Sequence, residues 1–280
     1  MSGDAARTSA CATKTVALSI AGSDPSGGAG IQADLKTFHQ FGVYGEAVVT
    51  LLTVQNTVAF ERVECVPAEL VVEQIRAVIG DIPPGAAKTG ALGNREIVEA
   101  VADVAAGFRF PLVVDPVMLS KHGGALIARD AIAALKDKLL PRAFLVTPNL
   151  EEAELLTGIE VRDIAGMRAA AERLRGLGPR AVLVKGGHLA GSATDILLHD
   201  GGWEEFAAER IETRHTHGTG CAFSAAITAL LASGEELVAA VRTAKRYIGE
   251  AIRTSPGLGA GAGPVNHHAA WRIDQAAREE

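Results

Sequence analysis

Six consecutive residues, Thr216-His217-Gly218-Thr219-Gly220-Cys221, bring together the types that anion chemistry requires. Two glycines stand where a polar extended run, Glu209–His215, gives way to an apolar helical one, Ala222–Leu231. Glycine lets the backbone come close to a ligand, and the first N–H groups of a helix have no internal acceptor. Those N–H groups and the helix dipole suit a phosphate or an oxyanion, and the same field would favour a thiolate at Cys221. Many glycine-rich helix starts are turns and nothing more, so the reading depends on what else the chain carries.

Several polar residues stand at the ends of apolar runs. Asp115 follows Leu-Val-Val and precedes Pro116; there a carboxylate can hold Mg²⁺ directly or through water, or simply cap a turn. Asn149 and Glu152 lie three apart at a helix start, the spacing of a capping box as much as of a ligand site. Lys185 closes an apolar strand beside two glycines. A lysine buried there needs an anionic partner, and phosphate is a good one. His215, His217 and Cys221 lack the fourth ligand and the spacing of a structural zinc site. Gly28-Ala29-Gly30-Ile31-Gln32-Ala33 matches the G-x-G-x-x-A dinucleotide pattern. The loop from Gly22 to Gly28 is too long for that tight turn, and Thr53, Val54 and Gln55 stand where a ribose-binding acid belongs, so the match is accidental. No P-loop pattern occurs.

These residues need a scaffold, and the hydrophobic pattern supplies one. Apolar runs at Thr15–Gly22, Ala47–Val54, Ala86–Lys88, Leu112–Asp115, Phe144–Thr147 and Ala181–Val184 read as strands, most of them buried on both faces. Ala59–Val66 alternates and reads as an edge strand, and Asp200-Gly201-Gly202 marks a hairpin between Thr194–Leu198 and Trp203–Ala208. Helices are expected over Ile31–Phe38 with Gly42 as its stop, Ala68–Ile79, Arg95–Ala106, Ile127–Lys138, Met167–Arg175, Cys221–Ala232 and Glu236–Arg253, and another starts near Pro148–Glu152. The alternation predicts an α/β fold of three layers, α/β/α, around a mostly parallel sheet. Ligands bind beyond the carboxyl ends of such strands, where the polar residues named above fall.

With 280 residues and no composition shift that would mark a linker, residues 15–280 are expected to form one domain. Aromatics make up only 4% and the formal charge is −6, which argues against a general nucleic-acid or membrane-surface binder. Cys11, Cys65 and Cys221 are odd in number and form no CxxC, as expected of free thiols in a reducing compartment. Residues 1–14 lack an apolar signal region and read as a disordered tail. No apolar run approaches the roughly 20 residues of a membrane span, so a cytoplasmic protein is expected.

Taken in order, the segments Ala21–Phe38, Gln55-Asn56-Thr57, Val113–Met118, Thr147–Leu150, Val184–His188, Thr216–Cys221 and Gly263–His267 resemble the hydroxymethylpyrimidine/phosphomethylpyrimidine kinase family, a branch of the ribokinase-like enzymes. The likeness runs from about Thr15 to Trp271. It implies an ATP- and Mg²⁺-dependent phosphotransferase that converts 4-amino-5-hydroxymethyl-2-methylpyrimidine to its monophosphate and then its diphosphate. By the same resemblance Gly218, Thr219, Gly220 and Cys221 form the catalytic anion hole, and Lys185, Asn149 and Glu152 meet ATP. Asp115 and Glu152 belong to the metal region. Gln55 reads the pyrimidine edge, with Asp34, Ala29, Gly22 and Val117 around the substrate. A homodimer is implied on this ground alone. Most ribokinase-like enzymes carry an Asp base where Cys221 stands; a thiol with its pKa lowered by the helix terminus would accept the hydroxyl proton. The second acceptor is a phosphate already ionised, so Cys221→Ala is expected to damage the first transfer more than the second. Ala91 replaces the family's usual Met after Lys-x-Gly and would enlarge the ring pocket.

Three rival readings remain at this level. A pyridoxal kinase of the same fold would differ in substrate only. A hydrolase or acyltransferase would use Cys221 with His217 and need no nucleotide. A non-catalytic nucleotide-binding regulator would have no use for a base at Cys221.

Overall fold

The computed structural model describes residues 15–187, 189 and 193–270. The expected tail at residues 1–14, His188 of the Val184–His188 match and residues 271–280 lie outside the described residues. Nine strands form one sheet in the order β3-β2-β1-β4-β5-β6-β7-β8-β9. They are β1 (Val16–Ser23), β2 (Tyr44–Gln55), β3 (Phe60–Cys65), β4 (Ala86–Thr89), β5 (Leu112–Val114), β6 (Leu145–Val146), β7 (Ala181–Val184), β8 (Asp195–His199) and β9 (Gly202–Phe206). The run from β2 to β7 is parallel, while β3, β8 and β9 pair antiparallel at the two ends.

The short inner strands β4 to β7 are buried along their whole length, as their unbroken Val, Leu and Ala runs require. One face packs against α1 (Gly30–Gln40), α7 (Thr219–Ala232) and α8 (Leu237–Arg253) through Phe38, Phe223, Ile227 and Tyr247. The other is covered by α2 (Ala68–Asp81), α3 (Arg95–Ala105), α4 (Arg129–Ala134), α5 (Leu150–Thr157) and α6 (Ile164–Arg175), with Ile75, Val101, Leu135 and Met167 in its core. The expected three-layer α/β/α arrangement is therefore present. Helix α7 is apolar nearly all round, and nine consecutive residues from Ala222 to Leu230 are buried. That is how a helix held between a sheet and an outer helix behaves.

Two elements depart from their expected bounds. The helix expected from Ile127 begins at Arg129, because Ile127 pairs with Gly93 and the N–H of Ala128 donates to the Gly93 carbonyl at 2.8 Å. Beyond Ala134 it continues as a π-helical turn, Leu135–Leu139, and a 3₁₀ turn, Leu140–Arg142, that contains Pro141. Strand β3 lies at the edge of the sheet, as its alternation suggests, and β8 and β9 make the hairpin around Asp200-Gly201.

The strand order decides where a ligand can sit. From β1 the chain passes outward to β2 and β3, then returns to the opposite side of β1 as β4. Connections leaving β1 and β4 diverge to opposite faces, which opens a crevice at the carboxyl ends of those two strands.

Candidate active site

A cavity of about 660 Å³ occupies that crevice, a volume suited to small ligands. Its first wall is the loop after β1, folded around Asp24. The Asp24 carboxylate accepts the N–H of Ser26 (2.9 Å), the Ser26 hydroxyl (2.8 Å), and the N–H groups of Gly28 (3.2 Å) and Ala29 (2.8 Å). Burial would raise the Asp24 pKa, but hydrogen bonds from His217 and Ser26 bring it down to about 2. Gly30 has φ +56, and a Cβ there would press on the Gly22 carbonyl. The loop therefore needs that glycine for conformation and for space.

The second wall is the start of α7. Gly218, at φ +80, precedes the helix and supplies no side-chain cap. A Cβ on it would run into the Gly28 carbonyl, so the two glycine loops touch backbone to backbone. Thr219 turns both its donors back into the loop: its hydroxyl and its N–H go to the Thr216 carbonyl at 2.7 and 3.3 Å. Thr219 thus shapes the loop, and Gly220 and Cys221 carry the first-turn N–H groups that no helical carbonyl takes.

The thiol of Cys221 corrects one expectation. Burial pushes it up to about 12, the nearby Lys88 charge opposes this, and Asp34 and Asp115 add to it. The helix terminus alone does not produce a thiolate here, because desolvation and two carboxylates outweigh the dipole.

Beneath the anion-hole loop lies a set of buried charges. Lys185 donates to Asp115 at 2.9 Å, and Asp115 also accepts from Thr147 (3.2 Å) and Ser224 (3.0 Å). Burial works to raise Asp115, yet the charges of Lys185 and Lys88 hold it below the usual carboxylate range. Lys185 keeps its proton against burial because Asp115 and Glu152 stand beside it. A Cβ placed on Gly220 would lie 3.4 Å from the Lys185 Nζ and 3.9 Å from Asp115 Oδ2, so this ion pair adjoins the hole.

Asn149 and Glu152 form a complete capping box on α5, with Glu152 N–H to Asn149 Oδ1 at 2.9 Å and Asn149 N–H to Glu152 Oε2 at 2.8 Å. Both also line the cavity. The pair is therefore a helix cap placed at the cavity wall. Burial raises Glu152 to about 7, with Asp115 adding to the effect and Lys185 opposing it.

Gly22, Ala29, Gln55 and Val117 line the same cavity, as do Asp115, Lys185 and Gly218 to Cys221. Asp34 does not. It is wholly buried on α1, where Lys88 Nζ donates to both its oxygens (2.8 and 2.7 Å) and the Ser19 hydroxyl to one (2.6 Å). Its acceptors are taken by Lys88, which itself lines the cavity, so Asp34 stands one residue behind the cavity wall. Lys88, by contrast, lines the cavity and was missed by the motif reading. The signal was a lysine inside a short apolar strand, a position where an unpaired charge is rarely tolerated. Thr213, Phe223, Ile248 and Ile252 line the cavity too, and helical periodicity alone reads them as polar loop or core. Ala91 lines the cavity beside Gly22 and Leu51.

The comparisons with known proteins agree with this geometry. The family model described as phosphomethylpyrimidine kinase matches residues 24–266. The hydroxymethylpyrimidine/phosphomethylpyrimidine kinase of Streptomyces coelicolor is 48% identical over 264 residues, covering 94% of this chain and 97% of that protein. The thiamine biosynthesis bifunctional protein ThiED of Geobacter sulfurreducens is 50% identical over 252 residues, 89% of this chain, and this chain spans 51% of its length. An ADP complex of Bacillus subtilis pyridoxal kinase superposes with a TM-score of 0.85 at 37% identity, covering 92% of this chain and 98% of that one. Sequence, sheet order and cavity concur: the chain belongs to the phosphomethylpyrimidine kinase family and has its ribokinase-like fold.

Proposed function

We propose that this protein transfers the γ-phosphoryl group of ATP to hydroxymethylpyrimidine and then to the resulting monophosphate. One observation carries the reading: an uncapped two-glycine helix start adjoins a lysine paired with a buried carboxylate at the rim of a cavity that also holds a glutamine. Phosphoryl transfer asks for positioning and charge stabilisation more than for covalent help. The N–H groups of Gly220 and Cys221 would meet the transferring phosphoryl, and Lys185 would bind ATP phosphate oxygens. Gln55 and Val117 would orient the pyrimidine. The pyrimidine is favoured over pyridoxal because the pyrimidine kinase of S. coelicolor is 48% identical to this chain and the B. subtilis pyridoxal kinase 37%.

Mg²⁺ fits the donor set. Asp115 is held below the usual carboxylate range, and a cation beside Glu152 would offset the burial that raises it to about 7. Among the described residues no group of three or more His, Cys, Asp or Glu forms a cage. Mg²⁺ commonly needs only one or two carboxylates, with phosphates and waters completing its shell. Asp115 and Glu152 would hold it, and when bound it supplies positive charge against the phosphates. No helix among the described residues is long and apolar enough to cross a membrane. The continuous sheet supports a single kinase domain, and the free thiols Cys65 and Cys221 suit a reducing cytoplasm. Exposed Leu52, Val54 and Val58 along β2 and its turn would serve a homodimer. The cysteine-hydrolase alternative loses support because the family model that matches residues 24–266 describes a kinase.

Phosphorus NMR of the protein with ATP, Mg²⁺ and hydroxymethylpyrimidine, and pyridoxal in a parallel sample, tests the proposal. A pyrimidine monophosphate signal that gives way to a diphosphate is expected. Transfer to pyridoxal alone would move the assignment to that ring, and transfer to neither would reject the kinase reading.

A further inference from the structure

His217 is held more tightly than a loop residue needs to be. Its N–H donates to the Gly263 carbonyl at 3.1 Å and its carbonyl accepts from Val265 at 3.3 Å, so residues 263–265 grip its backbone. Its ring is buried, and Nε2 lies 2.8 Å from Asp24 Oδ2. That same oxygen accepts the N–H groups of Gly28 and Ala29. The ring also covers Gly28, where a Cβ would come within 2.6 Å of the imidazole Cδ2. Gly218, the next residue, fits against the Gly28 carbonyl only because it has no Cβ.

From this geometry we infer that His217 and Asp24 are a positioning pair that locks the loop after β1 against the anion-hole loop at the start of α7. The inference rests on the kinase reading for its catalytic consequence. Ala29, which lines the substrate side, and Gly218 to Cys221, which line the phosphoryl side, belong to two segments far apart in the chain. This buried pair ties the two segments together through side chains, and so helps to set the distance from acceptor to hole. Misplacement of reacting groups by about 1 Å can lower a rate by about 100-fold. Neither group needs to touch a substrate or exchange a proton with one.

The test compares His217→Ala with His217→Gln, whose amide nitrogen can stand where Nε2 stands. For transfer to the pyrimidine, His217→Ala should lower kcat by about 10- to 100-fold while the KM for ATP changes by less than about threefold. His217→Gln should recover activity to within about fivefold of the unsubstituted protein. Hydrogen exchange provides a readout independent of catalysis: amides of residues 26–30 should exchange at least about tenfold faster in His217→Ala and near the native rate in His217→Gln. A glutamine variant as defective as the alanine one, or unchanged exchange at residues 26–30 in His217→Ala, would overturn the inference. If the unsubstituted protein phosphorylated nothing, the kinase reading would fall while the exchange comparison still decided the lock.

Discussion

Lys88→Met is the substitution whose outcome the structure defines best. Lys88 and Asp34 are both fully buried, with Nζ 2.7 Å from Asp34 Oδ2 and the Ser19 hydroxyl 2.6 Å from the same oxygen. Burial works to strip the proton from Lys88, and the facing Asp34 charge holds it on. Methionine fills nearly the same volume, so packing is kept while the carboxylate loses its counter-ion. Removing one partner of a buried pair costs about 3–5 kcal/mol, because the remaining charge is uncompensated. For a chain of this size each kcal/mol lowers Tm by about 2–4 °C, so calorimetry should show a drop of about 6–20 °C. Adding Asp34→Asn removes the stranded charge and keeps an acceptor for Ser19. The double variant should regain at least half of the loss, a non-additivity expected of residues in contact. A Tm for Lys88→Met within about 2 °C of the unsubstituted protein, or a double variant worse than the sum of its parts, would refute the reasoning. An Asp34→Asn protein of native Tm with a much raised pyrimidine KM would instead assign Asp34 to the substrate site.

Glu46 is buried on β2, its Oε2 has no partner among the described residues, and burial with Asp81 raises its pKa from 4.5 to about 7. A raised carboxyl pKa favours the protonated form in the folded state. Its contribution is therefore full below the unfolded value and is lost as pH rises through about 7. Glu46→Gln should stabilise the protein by about 1–2 kcal/mol at high pH and have little effect near pH 5, measured by urea unfolding; an equal effect at both pH values would refute this. If Cys221 accepts the acceptor hydroxyl's proton, a thiol held at about 12 gives a first-transfer rate that climbs with pH from 6 to 9, by nearly tenfold per pH unit. The second transfer, to an ionised phosphate, should be nearly flat, and Cys221→Ala should abolish the slope of the first; a flat first step or equal losses in both would exclude that role. Ala91→Met should narrow the cavity beside Leu51 and Gly22, raising the KM of a bulkier ring such as pyridoxal more than that of the pyrimidine, and equal changes for both rings would remove Ala91 from specificity.

The apolar runs, the glycine-marked hairpin and the helix start at Gly218 were legible because each is a local pattern: burial on both faces demands unbroken apolar strands, and a left-handed turn demands glycine. The cavity residues Asp115, Lys185 and Gln55 were legible for the same reason, since each ends a run whose carboxyl side is where ligands bind. Charge state was not local. Asp34 and Lys88 are separated by 54 positions, and nothing in either helix or strand pattern shows that they meet. Desolvation, which holds Cys221 as a thiol and lifts Glu152, depends on everything packed around a group. His217 was visible as a residue of the motif, but its hold on Asp24 spans 193 positions. Sequence by itself determined the layers, the rim residues and the kind of chemistry, because periodicity and backbone conformation are properties of neighbours along the chain. Tertiary structure alone decided which carboxylate meets which cation and which loop is locked to which, because those energies depend on distance and burial in space.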